Sequence, residues 1–297
     1  MQVVIAGGSG FLGRPLTARL QRDGHVVRVL TRRPRPGVAD EIAWTPDGTA
    51  GPWARALEGV DAVINLSGEG IADKRWDDAR KAALRQSRVA TTRSLVAAIR
   101  QAAQPPRVLV SGSAVGYYGP RGDELVTEAT PPGADFLSDL CVEWEREAEQ
   151  ASSTTRVVIV RTGLVMHPDG GALAKMLLPF RIGLGGPLGS GTQYMPWIHL
   201  DDWMDLIVWM LTTPGARGAF NGCAPNPVTN AEFTRALAAA VSRPAVVPVP
   251  GFGLRLLLGE FAASLLSGQR AIPSRAQEMG FGFRFSEISA ALRDLIA

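Results

Sequence analysis

Short apolar runs alternate along the chain with longer stretches in which apolar positions recur every three or four residues. Runs at residues 3–5, 26–30, 61–66, 107–111 and 156–161 have the length and the Val/Ile/Leu content of strands buried on both faces. Shorter runs at 41–44 and 218–222 predict two more. Between them the spacing predicts helices: one after Leu12 with Leu16 and Leu20 in step, one over 77–103 (Leu84, Val89, Leu95, Val96, Ile99) and one over 135–150 (Phe136, Leu140, Trp144). This alternation predicts the α/β class, as a Rossmann-type doubly wound parallel sheet. After residue 165 the rhythm changes. Glycines crowd residues 170–191, and helices are predicted at 204–211, with Asp201 as N-cap, and at 230–242. Residues 246–250 read as extended, 253–266 as an apolar segment, and the chain closes on a helix. The expected organisation is a dinucleotide-binding domain over 1–165, with a return contribution from about 193–222, and a small C-terminal substrate lobe over 166–297.

The first strand runs into Gly7, Gly8, Gly10 and Gly13, and a helix follows at once. The glycines fit G-x-x-G-x-x-G and also G-x-G-x-x-G. Strand, glycine turn and helix in that order let the backbone approach a pyrophosphate and aim free helix N–H groups at it. Residues 7–13, including Ser9, Phe11 and Leu12, are therefore candidate cofactor contacts. An NAD site places an acid about twenty residues beyond the glycines, for the ribose 2′-hydroxyl. Here the second strand ends in Thr31-Arg32-Arg33, and the next acid is Asp40. Guanidinium groups suit a 2′-phosphate, so NADP(H) is expected over NAD(H). Leu66, Ser67 and Gly68, after the strand at 61–66, would face the ribose and adenine side. Ser111 and Ser113 stand at the end of the strand at 107–111, where ligands bind in open α/β sheets. Ser113 could orient a carbonyl or hydroxyl, and Tyr118 could pass a proton. Arg85 and Arg88 would share one helix face. His199 lacks a visible carboxylate or metal partner and reads as structural.

Composition narrows the partners. The chain has 297 residues with a net charge of +3, and arginines are interspersed with carboxylates, which predicts no nucleic-acid surface. No apolar run has membrane-spanning length, the two cysteines have no metal-like spacing, and no metal is expected. Cys141 and Cys223 read as reduced, buried residues of a cytoplasmic protein, and a core strand at the very start predicts no signal peptide.

Five stretches carry a family resemblance: residues 7–13, 65–76 (NLSGEGIADKRW), 111–119 (SGSAVGYYG), 183–191 (GLGGPLGSG) and 196–202 (PWIHLDD). With them the chain resembles extended short-chain dehydrogenase/reductases of the NAD-dependent epimerase/dehydratase type. It is most similar to the atypical "epimerase family protein" group, whose own C-terminal module begins here near residue 248. The resemblance implies NADP(H) at the sheet's switch point and Ser113 as the family's catalytic Ser/Thr. It implies an oxidoreductase or epimerase-like reaction on a small polar substrate, and a homodimer packed through the helices at 77–103 and 135–150. In the wider family a Tyr-x-x-x-Lys pair on the second of these helices supplies the acid/base. Aligning Leu140 with the residue after that lysine puts Asp135 at the tyrosine place and Asp139 at the lysine place, where it could accept bonds from ribose hydroxyls. A one-residue shift puts Phe136 at the tyrosine place. Neither register restores Tyr or Lys, and Arg88 sits where the wider family often has Asn. Tyr118 or Asp135 would then replace the missing acid/base, and Glu69, Lys74, Arg75, Trp76 and Tyr117 would line the substrate site. The alternative is an NADPH-binding regulator or scaffold without turnover, for example in division.

Overall fold

In the computed structural model, which describes residues 1–296, seven parallel strands form one sheet. They are β1 (Gln2–Ala6), β2 (Val26–Thr31), β3 (Glu41–Ala43), β4 (Ala62–Asn65), β5 (Val108–Ala114), β6 (Arg156–Thr162) and β7 (Gly218–Gly222). Their order is β7-β6-β5-β4-β1-β2-β3, so the chain reverses direction across the sheet between β1 and β4. Alternate side chains serve opposite layers. Val3, Ile5, Ile64, Val110 and Val160 pack on α1 (Gly13–Arg22) and on the later helix at 200–212. Val4, Ala6, Val63, Leu109 and Ile159 pack on α2 (Asp78–Gln101) and α3 (Phe136–Glu149). Burial on both faces is why these strands are continuous apolar runs. Residues 218–222 return to the sheet beside β6.

The rest of the chain forms a lobe at the carboxyl ends of the strands. Helix α4 (Gly171–Arg181) packs with residues 195–197, 233–237 and 288–292 around Trp197 and Phe233. Helix α5 (Leu200–Thr212) begins four residues earlier than its apolar spacing predicts. Its N-cap is His199, not Asp201: the His199 Nδ1 accepts the Asp201 backbone N–H at 3.0 Å. His199 is buried, stacks on Phe285, and its Nε2 lies 3.3 Å from the Asp294 carboxylate. The helix predicted at 230–242 is α6 (Asn230–Ala240), opened by a Thr229/Glu232 capping box. The apolar segment near 253–266 folds as two short helices, α7 (Gly251–Leu258) and α8 (Phe261–Leu266).

The glycine run at 183–191 seats this last module. A β-carbon on Gly186 would lie 1.8 Å from the Val247 carbonyl oxygen, and Gly189 donates to the Val249 carbonyl at 2.9 Å. The extended residues 246–250 can therefore lie against the run only because position 186 carries no side chain. From there α7 and α8 reach the loop after β4. Trp76 is buried against Phe261 and Phe136, with ring centroids 5.2 and 5.3 Å away.

Candidate functional site

The turn after β1 is built for a close neighbour. Gly7 has φ +83°, and a β-carbon there would lie 2.7 Å from the Leu66 carbonyl group. A β-carbon on Gly13 would stand 2.2 Å from the Gly7 carbonyl oxygen, so the first turn of α1 lies directly on the loop. Leu12 occupies the N-cap and makes no side-chain bond, and the first turn carries no acid. The Arg14 N–H is taken by the Gly10 carbonyl at 3.0 Å and Pro15 has none, so the Gly13 N–H and the positive end of the helix are what the start of α1 leaves for an anion.

Above this turn lies a cleft of about 1360 Å³, lined by the glycines, Ser9, Thr31, Arg32, Arg33 and residues 66–69 among others. Arg32 and Arg33 are exposed and have no carboxylate within 4 Å among the described residues. The nearby acid Glu41 is already engaged. Its carboxylate accepts the Arg35 backbone N–H at 2.6 Å and the Arg35 Nε at 2.8 Å, and these bonds hold its pKa below the ordinary value. The hydroxyls of Thr17 and Ser67 lie buried on the cleft wall without a hydrogen-bond partner among the described residues. Orphaned hydroxyls beside a glycine-rich turn and two free cations are the donor set that a phosphorylated dinucleotide satisfies.

Across the switch point, a buried polar network ties β4 and β5 to α2 and α3. Asn65 and Trp144 both donate to the Thr92 hydroxyl, each at 2.8 Å. Ser113 donates to Glu145 Oε1 at 2.6 Å. Arg161, on β6, holds the same carboxylate through two bonds of 2.9 and 2.8 Å. Arg161 also donates to the Tyr118 hydroxyl at 3.0 Å, and its guanidinium carbon lies over the Tyr117 ring, 3.4 Å from the centroid. Burial opposes the Arg161 charge, but Glu145 outweighs it and the pKa rises. Neither Glu145 nor Arg161 stood out in the sequence. An arginine inside the apolar strand at 156–161 was the available signal.

The structure brings Gly7, Ser9, Gly10, Thr31, Arg32, Arg33, Leu66, Ser67 and Gly68 together at one cleft, leaves Ser111 and Asp139 away from it, and scatters the predicted acid/base groups. Tyr118 is fully buried, donates to Asn221 at 2.7 Å, and burial pushes its phenol well above the ordinary value, so it does not fit the role of proton carrier. Asp135 is the N-cap of α3 and accepts the Ser138 N–H at 2.8 Å, so it is a capping group rather than a free acid. Asp139 is exposed on the opposite side of α3 from Leu137, Cys141 and Trp144, so it does not face the ribose. The residues of α3 turned to the end of β5 are Leu137, beside Gly116, Cys141, beside the Ala114 carbonyl, and Glu145. Burial pushes the Cys141 thiol up to about 12.

The remaining predicted residues are placed as follows. Phe11 covers the glycine turn against Gly170, Gly171 and His167. Ser111 is buried in β5 and bonds locally. In the loop after β4, Trp76 is core and donates to the Ile71 carbonyl at 2.8 Å, rather than facing a substrate. Arg75 donates to the Leu256 carbonyl at 3.0 Å, Glu69 pairs with the buried Arg80, and Lys74 is exposed. Both cysteines are free and buried. Among the described residues no helix is long and apolar enough to cross a membrane, and no cluster of ligand side chains could hold a metal.

Comparison with known proteins meets this geometry. The profile of the NAD dependent epimerase/dehydratase family matches residues 3–221, and that of a domain of unknown function, DUF1731, matches residues 249–295. An epimerase family protein of Mycobacterium bovis is 45% identical over 293 residues, covering 98% of this chain and 96% of its own. The chloroplastic SDR39U1 homolog of Arabidopsis thaliana is 41% identical over 304 residues, covering 100% of this chain and 87% of its own. The crystal structure of human epimerase family protein SDR39U1 (isoform 2) with NADPH superposes with a TM-score of 0.93 at 39% identity, covering 100% of this chain and 99% of that one. The likeness runs over essentially the whole length, and the chain belongs to the NAD dependent epimerase/dehydratase family, with the extended short-chain dehydrogenase/reductase fold.

Proposed function

We propose that the protein is an NADP(H)-dependent oxidoreductase or epimerase-like enzyme acting on a small polar substrate. The observation that carries this reading is the pair Arg32 and Arg33, unopposed by any carboxylate, at the end of β2 beside a cleft that opens on the glycine turn. The human relative crystallised with NADPH supports it. Gly7–Gly13 and the start of α1 would hold the pyrophosphate, Arg32 and Arg33 the 2′-phosphate, and Thr17 and Ser67 would gain the partners they lack. The cofactor, when bound, supplies or accepts the hydride. Ser113 is the polar group that β5 presents at its carboxyl end, and it orients the reacting oxygen. Its hydroxyl donates to Glu145 at 2.6 Å, which fixes its direction and leaves its oxygen to accept from a substrate hydroxyl.

Titration with NADPH and with NADH, followed by nicotinamide fluorescence, tests the cofactor assignment. NADPH should bind at least about tenfold more tightly, the effect of one charge-assisted contact, and equal affinities would sink the assignment. Replacing Arg32 or Arg33 by Ala should each weaken NADPH by about tenfold and leave NADH unchanged. A second reading has one observation in its favour: Leu137 and Cys141 face the end of β5 where the wider family has acid/base groups. A protein that holds NADPH without turnover would leave the fluorescence of the bound cofactor intact when offered a panel of carbonyl compounds, and an enzyme would not.

A further inference from the structure

Arg88 is a cation with no counter-charge in a place where charge has consequences. It sits on α2, partly buried, with its guanidinium stacked against Trp144 at 5.4 Å. Its Nη2 donates to the Glu69 carbonyl at 2.9 Å and its Nη1 to the Leu84 carbonyl at 3.2 Å. A β-carbon on Gly68 would lie 3.1 Å from its central carbon. Arg88 therefore fills the gap between the end of β4, at Gly68 and Glu69, and the end of β5, where the Trp144 ring edge would lie 3.2 Å from a β-carbon on Gly112. Neighbouring acids do not neutralise it. The Glu69 carboxylate is turned to Arg80, and the Glu145 carboxylate to Arg161. No carboxylate lies within 4 Å of Arg88 among the described residues. Cys141, the α3 residue nearest in charge terms, is a protonated thiol. Burial lowers the Arg88 pKa, yet a guanidinium remains charged at neutral pH.

The position follows from the fold. If Arg32 and Arg33 hold the phosphorylated adenosine at the end of β2, the dinucleotide crosses the glycine turn after β1, and its nicotinamide half comes to rest at the ends of β4 and β5. That is where Arg88 stands. The oxidised nicotinamide ring carries a positive charge, and the reduced ring carries none. A fixed cation next to it in a poorly solvated place repels only the oxidised form.

We propose that Arg88 is a specificity-determining residue: its unpaired guanidinium selects the uncharged dihydronicotinamide of NADPH over the cationic ring of NADP+. This rests on the NADP(H) reading above. The consequence is that the resting protein carries reduced cofactor and meets its substrate as a hydride donor. The cation takes no part in anchoring the adenosine end.

The test is a set of equilibrium titrations of the full chain with NADPH, NADP+ and 2′,5′-ADP, which lacks the nicotinamide half. Wild type should bind NADPH about tenfold more tightly than NADP+. Arg88→Gln removes the charge but keeps N–H donors for the Glu69 and Leu84 carbonyls. It should bring the two affinities together mainly by tightening NADP+, with 2′,5′-ADP unchanged. Arg88→Lys keeps the charge and should keep the preference. The proposal is overturned if wild type binds both forms equally, or if Arg88→Gln keeps the wild-type ratio. It is also overturned if Arg88→Gln weakens 2′,5′-ADP as much as NADPH, which would mark a role in shaping the loop at 68–69. Should wild type bind neither 2′,5′-ADP nor NADPH, the NADP(H) reading itself falls, and that outcome is separate from a changed ratio. If Arg88→Gln does not fold, Arg88→Met is measured against the same criteria.

Discussion

Arg161→Met should lower the stability of the folded chain by about 3–5 kcal/mol, the usual cost of leaving one member of a buried ion pair alone. The Glu145 side chain is 12% exposed and that of Arg161 6% exposed, so water cannot replace the missing partner. Arg161 also bonds the Tyr118 hydroxyl and lies against the Tyr117 ring, and a methionine would keep only part of that packing. The measurement is calorimetric or denaturant unfolding, and a loss below about 1 kcal/mol would show that Glu145 finds solvent or another partner. The double variant Arg161→Met with Glu145→Leu is the informative control. Removing both charges from a buried pair is often close to neutral, so the double variant should recover most of the loss. Ser113 would then have lost its acceptor. With the fold recovered, turnover by the double variant would show whether Ser113 needs Glu145 for its chemistry, independently of stability.

The sheet and the cofactor turn were legible because local physics dictates both. A strand covered on both faces must be apolar throughout, and turn positions whose β-carbons would lie under 3 Å from the Leu66 and Gly7 backbone must be glycine. The free arginines after β2 were legible for the same reason: no acid follows until Asp40. The acid/base side of the site was not legible, and α3 shows why. Phe136 and Leu140 recur at helical spacing, but they face the Trp76 cluster and the C-terminal module rather than the sheet. The adjoining positions Cys141, Trp144 and Ala148 meet β5 and its neighbours, and Leu137 touches both sides. A broad apolar face that serves two neighbours at once does not say which of its edges meets the sheet, and Asp135 at the N-cap then looks like a free carboxylate. Trp76 misled in a related way. An aromatic in a polar loop suggests a ligand contact, yet its cover comes from Phe261, nearly two hundred residues later, which spacing along the chain does not reveal. The Glu145–Arg161 pair joins α3 to β6 across the sheet layer, and only the packing brings them together.

Gly10→Val should abolish NADPH binding, by at least about a thousandfold, and leave the melting temperature within a degree or two of wild type. The two effects separate because of where the side chain would go. A β-carbon on Gly10 has a single neighbour within 4 Å, the Gly7 carbonyl oxygen at 3.3 Å, and the position lines the cleft. That single tight contact asks the turn to give by a few tenths of an ångström, and the rest of the bulk falls in the space above the turn that a pyrophosphate would enter. The backbone N–H groups of the turn and of α1 would be held a carbon's width or more from the phosphates, and two or more charge-assisted bonds would be lost together. Gly13→Ala is the contrasting variant. Its β-carbon would stand 2.2 Å from the Gly7 carbonyl oxygen and 2.6 Å from the Gly8 Cα, so α1 must move off the loop. It should lose binding and stability at once. Binding by isothermal titration and unfolding by calorimetry on the three proteins give the comparison. If Gly10→Val still binds NADPH, the dinucleotide does not cross this turn, and the free arginines at the end of β2 must serve another anion. If Gly10→Val melts as early as Gly13→Ala, the turn tolerates no side chain for reasons of folding alone, and its glycines cease to be evidence for a ligand.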